Sequence, residues 1–219
     1  MDTTQLIIFY ATIFILSYLF GSIPWAFIIG KANGVDIRKC GSGNVGATNV
    51  TRTVGKCWGK LCFACDLLKG VLPVVTVSLI AKKYLPSTTE STINYGCMVA
   101  GFSAISGHVW TIFLKFKGGK GISTSAGVLL ALAPAPVLAA LILWVIIFKT
   151  SKMVSLASII AAGALPIIAV IFNYTLKKYS FFATEKPILI FLVVIAVIAI
   201  AKHRSNIKRI IAGTESKFR

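Results

Sequence analysis

The chain has 219 residues, of which 57% are hydrophobic and 13% charged, and its mean hydropathy is +0.86. This composition excludes an ordinary soluble domain, and we predict an all-α integral membrane protein that forms a single domain over residues 1–219. The net charge of +17 could indicate a nucleic-acid-binding protein. Lys and Arg fall mainly in the short connections between apolar segments, however, which is the positive-inside pattern of membrane proteins, so no nucleic-acid partner is expected.

The first predicted span runs from Leu6 to about Gly30, and Gly21 and Pro24 are expected to kink or loosen its last turns. It lacks a basic n-region and an Ala-x-Ala-like cleavage site, so we expect a retained span rather than a cleaved signal. The basic connection after it is predicted to be cytoplasmic, which places the N-terminus outside.

That connection contains the first polar stretch, residues 41–55, which reads GSGNVGATNVTRTVG. Its glycines can take positive φ and bring backbone N–H groups close to a ligand, and Arg52 adds a fork of donors that suits phosphate. We interpret this stretch as an anion-binding loop. Glycines at the end of a span also serve in turns and packing, and this alternative stays open for the stretch taken alone.

The second predicted span runs from about Trp58 to Ala81 and carries Asp66 and Lys69, whose i, i+3 spacing allows them to pair on one helix face. Ionisable residues at membrane depth usually face the bundle interior and often mark function. Lys69 is therefore either a residue of the site or one half of a structural ion pair. A short outer loop, residues 82–94, leads to the third predicted span, Tyr95 to about Phe116.

The second polar stretch, residues 107–121, ends in Gly-Gly-Lys-Gly and is again basic. It resembles a phosphate loop in composition but lacks the G-x-x-x-x-G-K-[ST] spacing, which indicates phosphate binding without an NTPase. Residues 122–148 contain Ala-Pro-Ala-Pro at 133–136. We predict that they form either two short helices that meet at the prolines or a re-entrant hairpin.

The last two predicted spans are Met153–Asn173 and Pro187–Ala201, and a third basic stretch, residues 202–209, follows them. In this topology 17 of the 23 Lys and Arg residues are cytoplasmic, which predicts an outside N-terminus and a cytoplasmic C-terminus. All three polar stretches then lie on one membrane face, where we expect them to form a single phosphate-binding pocket.

The two histidines, His108 and His203, have no carboxylate within four residues downstream, so the sequence offers no local His–Asp dyad. An enzyme built from these residues is expected to work by positioning and by neutralising anionic charge. The five cysteines show no metal-ligand spacing beyond Cys62-x-x-Cys65, and we expect neither a metal nor a cofactor.

The three stretches resemble, in order, the motifs of the bacterial membrane acyltransferases that use acyl phosphate to acylate glycerol 3-phosphate. The resemblance rests on GSGN-x-GATN-x-x-R-x-x-G at 41–55, on GH at 107–108 with F-x-GGKG at 116–121, and on H-x-x-NI-x-R-x-x-x-GTE at 203–215. Thr111 stands where the family commonly has proline. The resemblance implies about seven transmembrane helices, two of them short or re-entrant, in the bacterial cytoplasmic (inner) membrane, with the active site facing the cytoplasm.

The resemblance also implies transfer of a fatty acyl group from acyl phosphate to the sn-1 hydroxyl of glycerol 3-phosphate. The products would be lysophosphatidic acid and phosphate, in the first acylation of phospholipid synthesis. Membrane lipid is the surrounding partner, and the oligomeric state stays open, with a monomer as the working expectation. A transporter for phosphorylated metabolites or a non-catalytic lipid-binding scaffold is the alternative reading of the same polar stretches.

The predicted site residues share the capacity to bind or position phosphate groups. The catalytic set is Ser42, Lys120, His203 and Asn206. The binding set is Gly41, Gly43, Asn44, Thr48, Asn49, Arg52, Lys69, Gly118, Gly119, Ser123, Thr124 and Arg209. We expect the acyl phosphate to be held by Ser42, Gly43, Asn44 and Lys120, with Ser123 and Thr124 as further candidates. We expect glycerol 3-phosphate to be held by Asn49, Arg52, His203, Asn206 and Arg209.

Overall fold

The computed structural model describes residues 2–86, 88–176 and 186–218, and every regular element in these ranges is helical. The all-α prediction is thus confirmed for the described residues. The helices are α1 (Thr3–Gly21), α2 (Trp25–Ala32), α3 (Ala47–Thr53), α4 (Lys56–Tyr84), α5 (Glu90–Val109), α6 (Ile122–Leu132), α7 (Pro134–Ser151), α8 (Val154–Leu176), α9 (Lys186–Lys202) and α10 (Arg204–Ile211). The outer connection predicted between the last two spans falls mainly on residues 177–185, outside the described ranges.

Within the described ranges, five helical segments are long and apolar enough to cross a membrane: Thr3–Ala32, Lys56–Tyr84, Glu90–Leu114, Pro134–Ser151 and Val154–Phe172. The bent pair Pro187–Lys202 and Arg204–Ile211 adds a sixth if both helices count as one span. The apolar helix α6 is shorter, with 11 residues. Large apolar side chains such as Ile7 and Ile142 are each 64% exposed, as expected for surfaces that face lipid.

The first predicted span is interrupted at the position that Gly21 and Pro24 indicated. α1 ends at Gly21, and α2 begins at Trp25, directly after the proline. Gly21 packs on the backbone of Ala104 in α5, and a Cβ at Gly21 would collide with that backbone. Small residues at such a crossing let two helices approach closely, which is typical of membrane bundles.

The third membrane segment, Glu90–Leu114, ends close to the predicted position near Phe116, but its last part is not α-helical. The helix α5 stops at Val109, and the chain continues through a short 3-10 turn, Ile112–Leu114. The Thr111 hydroxyl starts this turn, because it donates to the Ser22 carbonyl at 2.6 Å and lies 3.3 Å from the Phe113 amide. Hydropathy does not reveal the turn, since most of its residues remain apolar.

The two-helix alternative for residues 122–148 is the one observed. α6 ends at Leu132, and α7 begins at Pro134. Proline suits the first position of a helix, because the amide it lacks has no partner there. α7 is not short, however, since its 18 residues are enough to cross a membrane.

Internal contacts divide the chain into two compact units, Met1–Leu132 and Ala133–Arg219. In the first unit, α5 packs against α1 and α4, and α4 packs against α6. Gly70 and Gly127 allow the α4–α6 crossing, because a Cβ on either would collide with the backbone of the other helix. In the second unit, α8 packs against α7 and α9. The single domain predicted from the sequence stays a prediction.

Candidate functional site

The first polar stretch is held in shape by Asn49, which lies in α3 and is completely buried. Its Oδ1 accepts a hydrogen bond from the Ser42 amide at 2.9 Å. Its Nδ2 donates to the carbonyls of Ile37 at 2.8 Å and Cys40 at 3.1 Å. Since all three partners are backbone groups of the preceding loop, the Asn49 side chain fixes the path of that loop.

The glycines of this loop are required by its conformation. Gly41 and Gly43 have φ values of +59° and +68°, in the left-handed region that favours glycine. The amide of Ser42 is used by Asn49, and that of Gly43 donates to the Cys40 carbonyl at 3.0 Å. These two amides therefore bond within the chain in this structure, and the cradle of backbone N–H groups stays a prediction for the rest of the stretch.

The first stretch also offers side chains to a ligand. Ser42 is exposed and Asn44 is half-buried. Thr48 and Arg52 lie four residues apart, and so on the same side of α3, with Arg52 exposed in the last turn. Hydroxyl, amide and guanidinium groups all donate hydrogen bonds to phosphate oxygens.

The acidic residue of this connection is neutralised locally. Asp36 accepts from Arg38 through both carboxylate oxygens, at 2.9 Å from Nε and 2.8 Å from the terminal nitrogen. The hydrogen bond from the Arg38 guanidinium holds the pKa of the Asp36 carboxyl well below its usual range, although desolvation opposes this shift. Asp36 is thus ionised and paired at neutral pH, which limits its repulsion of a phosphate bound near the loop.

The second polar stretch packs back on the end of α5. The Gly118 amide donates to the Val109 carbonyl at 3.2 Å, and the Gly119 amide donates to the His108 carbonyl at 3.1 Å. A Cβ on Gly118 would collide with the same two carbonyls, and a Cβ on Gly119 would collide with His108 Nε2 and the Val45 carbonyl. These glycines serve close packing, and, contrary to expectation, their amides bond within the chain.

Three predicted residues lie beside these glycines, around the start of α6. Lys120 and Ser123 are half-buried. Thr124 is completely buried, and its hydroxyl has no hydrogen-bond partner among the described residues. Its carbonyl faces Gly70 of α4. Contact between Thr124 and a substrate is therefore not supported in this conformation, because the side chain has no exposed surface.

Asp66 and Lys69 form the ion pair that their spacing predicted. The Asp66 Oδ1 and Lys69 Nζ atoms are 2.8 Å apart, and both side chains are 2% exposed. The Lys69 ammonium also donates to the Ile23 carbonyl, in the break between α1 and α2, at 2.8 Å. Both residues line a cavity of about 10 Å³, which has room for about one water molecule. This geometry favours the structural alternative for Lys69.

A third ionisable side chain, His108, joins this pair, although no role was expected for it from the sequence. His108 Nδ1 lies 3.5 Å from Asp66 Oδ1. A search for a carboxylate close to histidine along the sequence cannot find this contact, because it is made between α4 and α5. The signal that could have found it is the presence of ionisable residues in two neighbouring apolar segments, where burial requires partners.

In the second unit, Glu215 holds the third polar stretch together. Its Oε1 accepts from Asn206 at 2.7 Å and from Ser155 of α8 at 2.6 Å, and its Oε2 accepts from Arg209 at 2.7 Å. Burial raises the pKa of this carboxyl, but the three hydrogen bonds and the positive charge of Arg209 together outweigh burial, and the net pKa is lowered. Glu215 belongs to the third motif, but no role was expected for it from the sequence.

His203 is also buried, and its environment fixes its tautomer. Its Nδ1 lies 2.7 Å from the Ala199 carbonyl, one turn earlier in the chain. A carbonyl can only accept a hydrogen bond, so Nδ1 donates, and Nε2 is the accepting nitrogen of the neutral ring. This tautomer is the one that can receive a proton at Nε2.

The structure brings the first and second stretches together within the first unit. The Val45 carbonyl lies beside Gly119, and both residues line the cavity next to Lys69. The third stretch belongs to the second unit. The single pocket expected for all three stretches stays a prediction. In the described part of the chain, no three His, Cys, Asp or Glu residues are grouped so that they could hold a metal ion.

Comparison with known proteins reveals similarity over nearly the whole chain. The family model described as glycerol-3-phosphate acyltransferase matches residues 11–213. The protein of that name from Trichlorobacter lovleyi is 44% identical over 204 residues, which cover 93% of this chain and 94% of the relative. The one from Endomicrobium trichonymphae is 45% identical over 206 residues, which cover 94% of each.

Two crystal structures are also similar. Both are of PlsY, an integral membrane glycerol 3-phosphate acyltransferase. Its glycerol 3-phosphate form gives a TM-score of 0.79 at 36% identity over 96% of both chains. Its lysophosphatidic acid form gives a TM-score of 0.76 at 35% identity, over 96% of this chain and 95% of the other.

Proposed function

This chain belongs to the glycerol-3-phosphate acyltransferase family, and we propose that its acyl donor is acyl phosphate and its acceptor the sn-1 hydroxyl of glycerol 3-phosphate. Family membership makes it a multi-pass membrane acyltransferase of lipid biosynthesis that acylates glycerol 3-phosphate. In the proposed reaction the products are lysophosphatidic acid and phosphate, as the first acylation of phospholipid synthesis. The observation that carries the proposal is that Ser42, Arg52 and Lys120, at or near the surface of the first unit, are all phosphate-binding side chains.

We assign the acyl phosphate to Ser42, Asn44 and Lys120, with Ser123 as a further hydroxyl donor. These side chains are exposed or half-buried, and the two loops that hold them meet where Val45 touches Gly119. A lysine ammonium supplies a point charge for the phosphate, and the hydroxyl and amide supply directional donors. The predicted glycines are assigned to shaping the loops: Gly41, Gly43, Gly118 and Gly119.

We assign glycerol 3-phosphate to Arg52 and Thr48 of α3 and to His203, Asn206 and Arg209 of the third stretch. Arg209 uses Nε toward Glu215, and a guanidinium has further N–H donors for a phosphate. The hydrogen bonds of Asn49 support a role in holding the loop. The buried ion pair supports a structural role for Lys69.

In the proposed step, the sn-1 oxygen attacks the carbonyl carbon of acyl phosphate and forms the new ester bond. The bond from that carbon to the phosphate oxygen breaks, and phosphate leaves with its electron pair. The hydroxyl proton passes to an oxygen of the leaving phosphate or to Nε2 of His203. Lys120 and Arg52 neutralise the repulsion between the two phosphate groups, which lowers the barrier to bringing them together. The acyl tail lies between helices, toward lipid.

We further propose seven membrane helices, counting the five long segments, the bent pair α9–α10 and the shorter α6. The N-terminus is outside, and the three polar stretches face the cytoplasm, across the bacterial inner membrane. The distribution of Lys and Arg supports this orientation. A monomer is the proposed oligomeric state.

The donor assignment is tested by offering the purified protein glycerol 3-phosphate with palmitoyl phosphate, palmitoyl-CoA or palmitoyl-acyl carrier protein. We expect lysophosphatidic acid, acylated at sn-1, from palmitoyl phosphate alone. Efficient use of palmitoyl-CoA would overturn the donor assignment, and a product acylated at sn-2 would overturn the position.

The residue assignment is tested with two variants that each remove one positive charge from the connection after α2. Arg52→Ala should lose most of the activity, whereas Lys39→Ala should retain it, because Lys39 is exposed and is not assigned to a substrate. Similar activities for the two variants would contradict the role given to Arg52.

A further inference from the structure

We propose that His108 is a positioning residue: it links the buried Asp66–Lys69 pair of α4 to the Gly118–Gly119 backbone that leads to Lys120. The role in catalysis rests on the proposed function, in which Lys120 binds the acyl phosphate. His108 is not proposed to touch a substrate. Its effect is to fix the backbone that carries a substrate-binding lysine.

One edge of the His108 ring faces the ion pair. Its Nδ1 lies 3.5 Å from Asp66 Oδ1, and the same oxygen lies 2.8 Å from Lys69 Nζ. Lys69 in turn donates to the Ile23 carbonyl at 2.8 Å. A buried carboxylate between two nitrogen groups restricts all three side chains, because leaving a charge without its partner in the interior is costly.

The opposite edge of the ring faces the glycine-rich loop. A Cβ on Gly119 would collide with His108 Nε2, so the imidazole is the surface against which this glycine rests. The Gly119 amide also donates to the His108 carbonyl, at 3.1 Å. The loop is therefore held by the main chain and the side chain of the same residue. Val45 of the first polar stretch contacts Gly119 too, so a shift of His108 would affect both stretches.

The space around His108 favours positioning over substrate binding. His108 and Lys69 line the cavity of about 10 Å³, which has room for about one water molecule. Lys120, by contrast, is half-buried, two residues beyond Gly118. A displacement of a binding group by about 1 Å can cost about a hundredfold in rate, so the stability of this backbone matters to the reaction.

The test compares His108→Ala and His108→Asn with the control Ser103→Ala. Asparagine retains a donor close to the position of Nδ1 and can still reach Asp66. Ser103 is completely buried in the same helix, but its hydroxyl donates to the Val99 carbonyl of α5 itself and contributes nothing to the loop. The first readout is the KM for palmitoyl phosphate and for glycerol 3-phosphate, and the second is amide hydrogen exchange at Gly118 and Gly119.

We expect His108→Ala to raise the KM for palmitoyl phosphate about tenfold, to change the KM for glycerol 3-phosphate by less than about twofold, and to speed exchange at both glycines. His108→Asn should give intermediate KM values and intermediate exchange rates. If His108→Ala fails to fold, the comparison of His108→Asn with the wild type decides whether His108 positions the loop. Ser103→Ala should resemble the wild type.

Equal effects of His108→Ala and Ser103→Ala would overturn the proposal, as would unchanged exchange at Gly118 and Gly119 in both His108 variants. If the wild-type protein does not use palmitoyl phosphate, the proposed donor is wrong. The exchange comparison then still decides whether His108 positions the loop.

Discussion

The side-chain amide of Asn206 donates to Oε1 of Glu215 at 2.7 Å, and this bond ties the short helix α10 to the segment that follows it. Glu215 also accepts from Arg209 and from Ser155, which belongs to α8. One carboxylate therefore orients two residues assigned to glycerol 3-phosphate and anchors them on a long helix. The Glu215 carboxylate therefore shapes the third polar stretch, although Glu215 is not itself assigned to a substrate.

Replacing Glu215 by Gln should weaken this network. The amide oxygen of Gln accepts a weaker hydrogen bond from Arg209 than a carboxylate does. Its NH₂ group is a donor and would face groups that themselves donate to Glu215. We expect the free energy of unfolding to fall by about 1–3 kcal/mol, with a loss of activity, measured by thermal unfolding and turnover in detergent. Glu90→Gln is the control, since Glu90 is exposed in the first turn of α5. Equal effects of the two changes would contradict the account.

The same network predicts a dependence of stability on pH. Burial raises the pKa of Glu215, but its hydrogen bonds and the charge of Arg209 outweigh burial and lower the folded-state pKa below the ordinary value of 4.5. A depressed folded pKa means that the stabilisation is complete above the unfolded pKa and is lost as the pH falls through the folded value. The unfolding temperature of the wild type should therefore drop below about pH 4.5, and Glu215→Gln should lack this contribution. If the unfolding temperatures of the wild type and Glu215→Gln changed with pH in parallel, this contribution of Glu215 would be excluded.

Removing the Asn49 side chain should unfold the first polar stretch locally. Asn49→Ala leaves the Ile37 and Cys40 carbonyls without their donor, and Asn49→Asp places a carboxylate against them. We expect each variant to lose about 1–3 kcal/mol of unfolding free energy, with the larger loss for Asp. Asn33→Ala is the matched control, because the Asn33 side chain donates to the Ile29 carbonyl of the helix that it follows and does not hold the first polar stretch. A loss in Asn33→Ala as large as that in Asn49→Ala would argue against the scaffold role.

Alanine at Gly118 should be far more harmful than alanine at Gly163. The new Cβ at Gly118 collides with the carbonyls of His108 and Val109, and backbone atoms cannot move aside as a flexible side chain can. At Gly163 of α8, an added Cβ would meet Ile200 Cδ1 of α9 at 3.8 Å, which is an ordinary van der Waals contact, and alanine there gains up to about 1 kcal/mol of helix propensity. Turnover of Gly118→Ala should fall at least about tenfold while Gly163→Ala keeps its activity. Wild-type turnover in Gly118→Ala would contradict the close packing.

Thiol labelling in vesicles tests the proposed orientation. Cys40 is exposed in the loop before the first polar stretch. With the other cysteines replaced, a membrane-impermeant maleimide should label Cys40 in inverted vesicles and not in right-side-out vesicles. Glu90→Cys, in a variant without other cysteines, should give the opposite result, because Glu90 begins α5 on the predicted outer side. Labelling of Cys40 from outside would reverse the topology.

The order of the membrane segments could be predicted from the sequence, because the length of an apolar run and the positions of proline and glycine act locally. The break between Gly21 and Trp25 and the one before Pro134 are examples. The end of α5 could not be predicted in this way. It depends on the bond from Thr111 to the Ser22 carbonyl, which joins two segments far apart in the chain.

The residue types of the candidate site could also be predicted, but their contacts could not. A glycine-rich sequence shows that amides can approach a ligand, whereas only the fold shows that those of Gly118 and Gly119 bond to the end of α5. In the same way, the spacing of Asp66 and Lys69 predicted their ion pair. No local sequence pattern could predict that His108 joins this pair, because His108 approaches Asp66 from another helix.

The most direct test of the central claim is to measure inorganic phosphate and lysophosphatidic acid in the same reaction, started with palmitoyl phosphate, with and without glycerol 3-phosphate. The proposed chemistry predicts equal amounts of the two products, no phosphate release above background when glycerol 3-phosphate is omitted, and loss of both products in Arg52→Ala. Phosphate release that does not depend on glycerol 3-phosphate, or lysophosphatidic acid formed without phosphate, would contradict it.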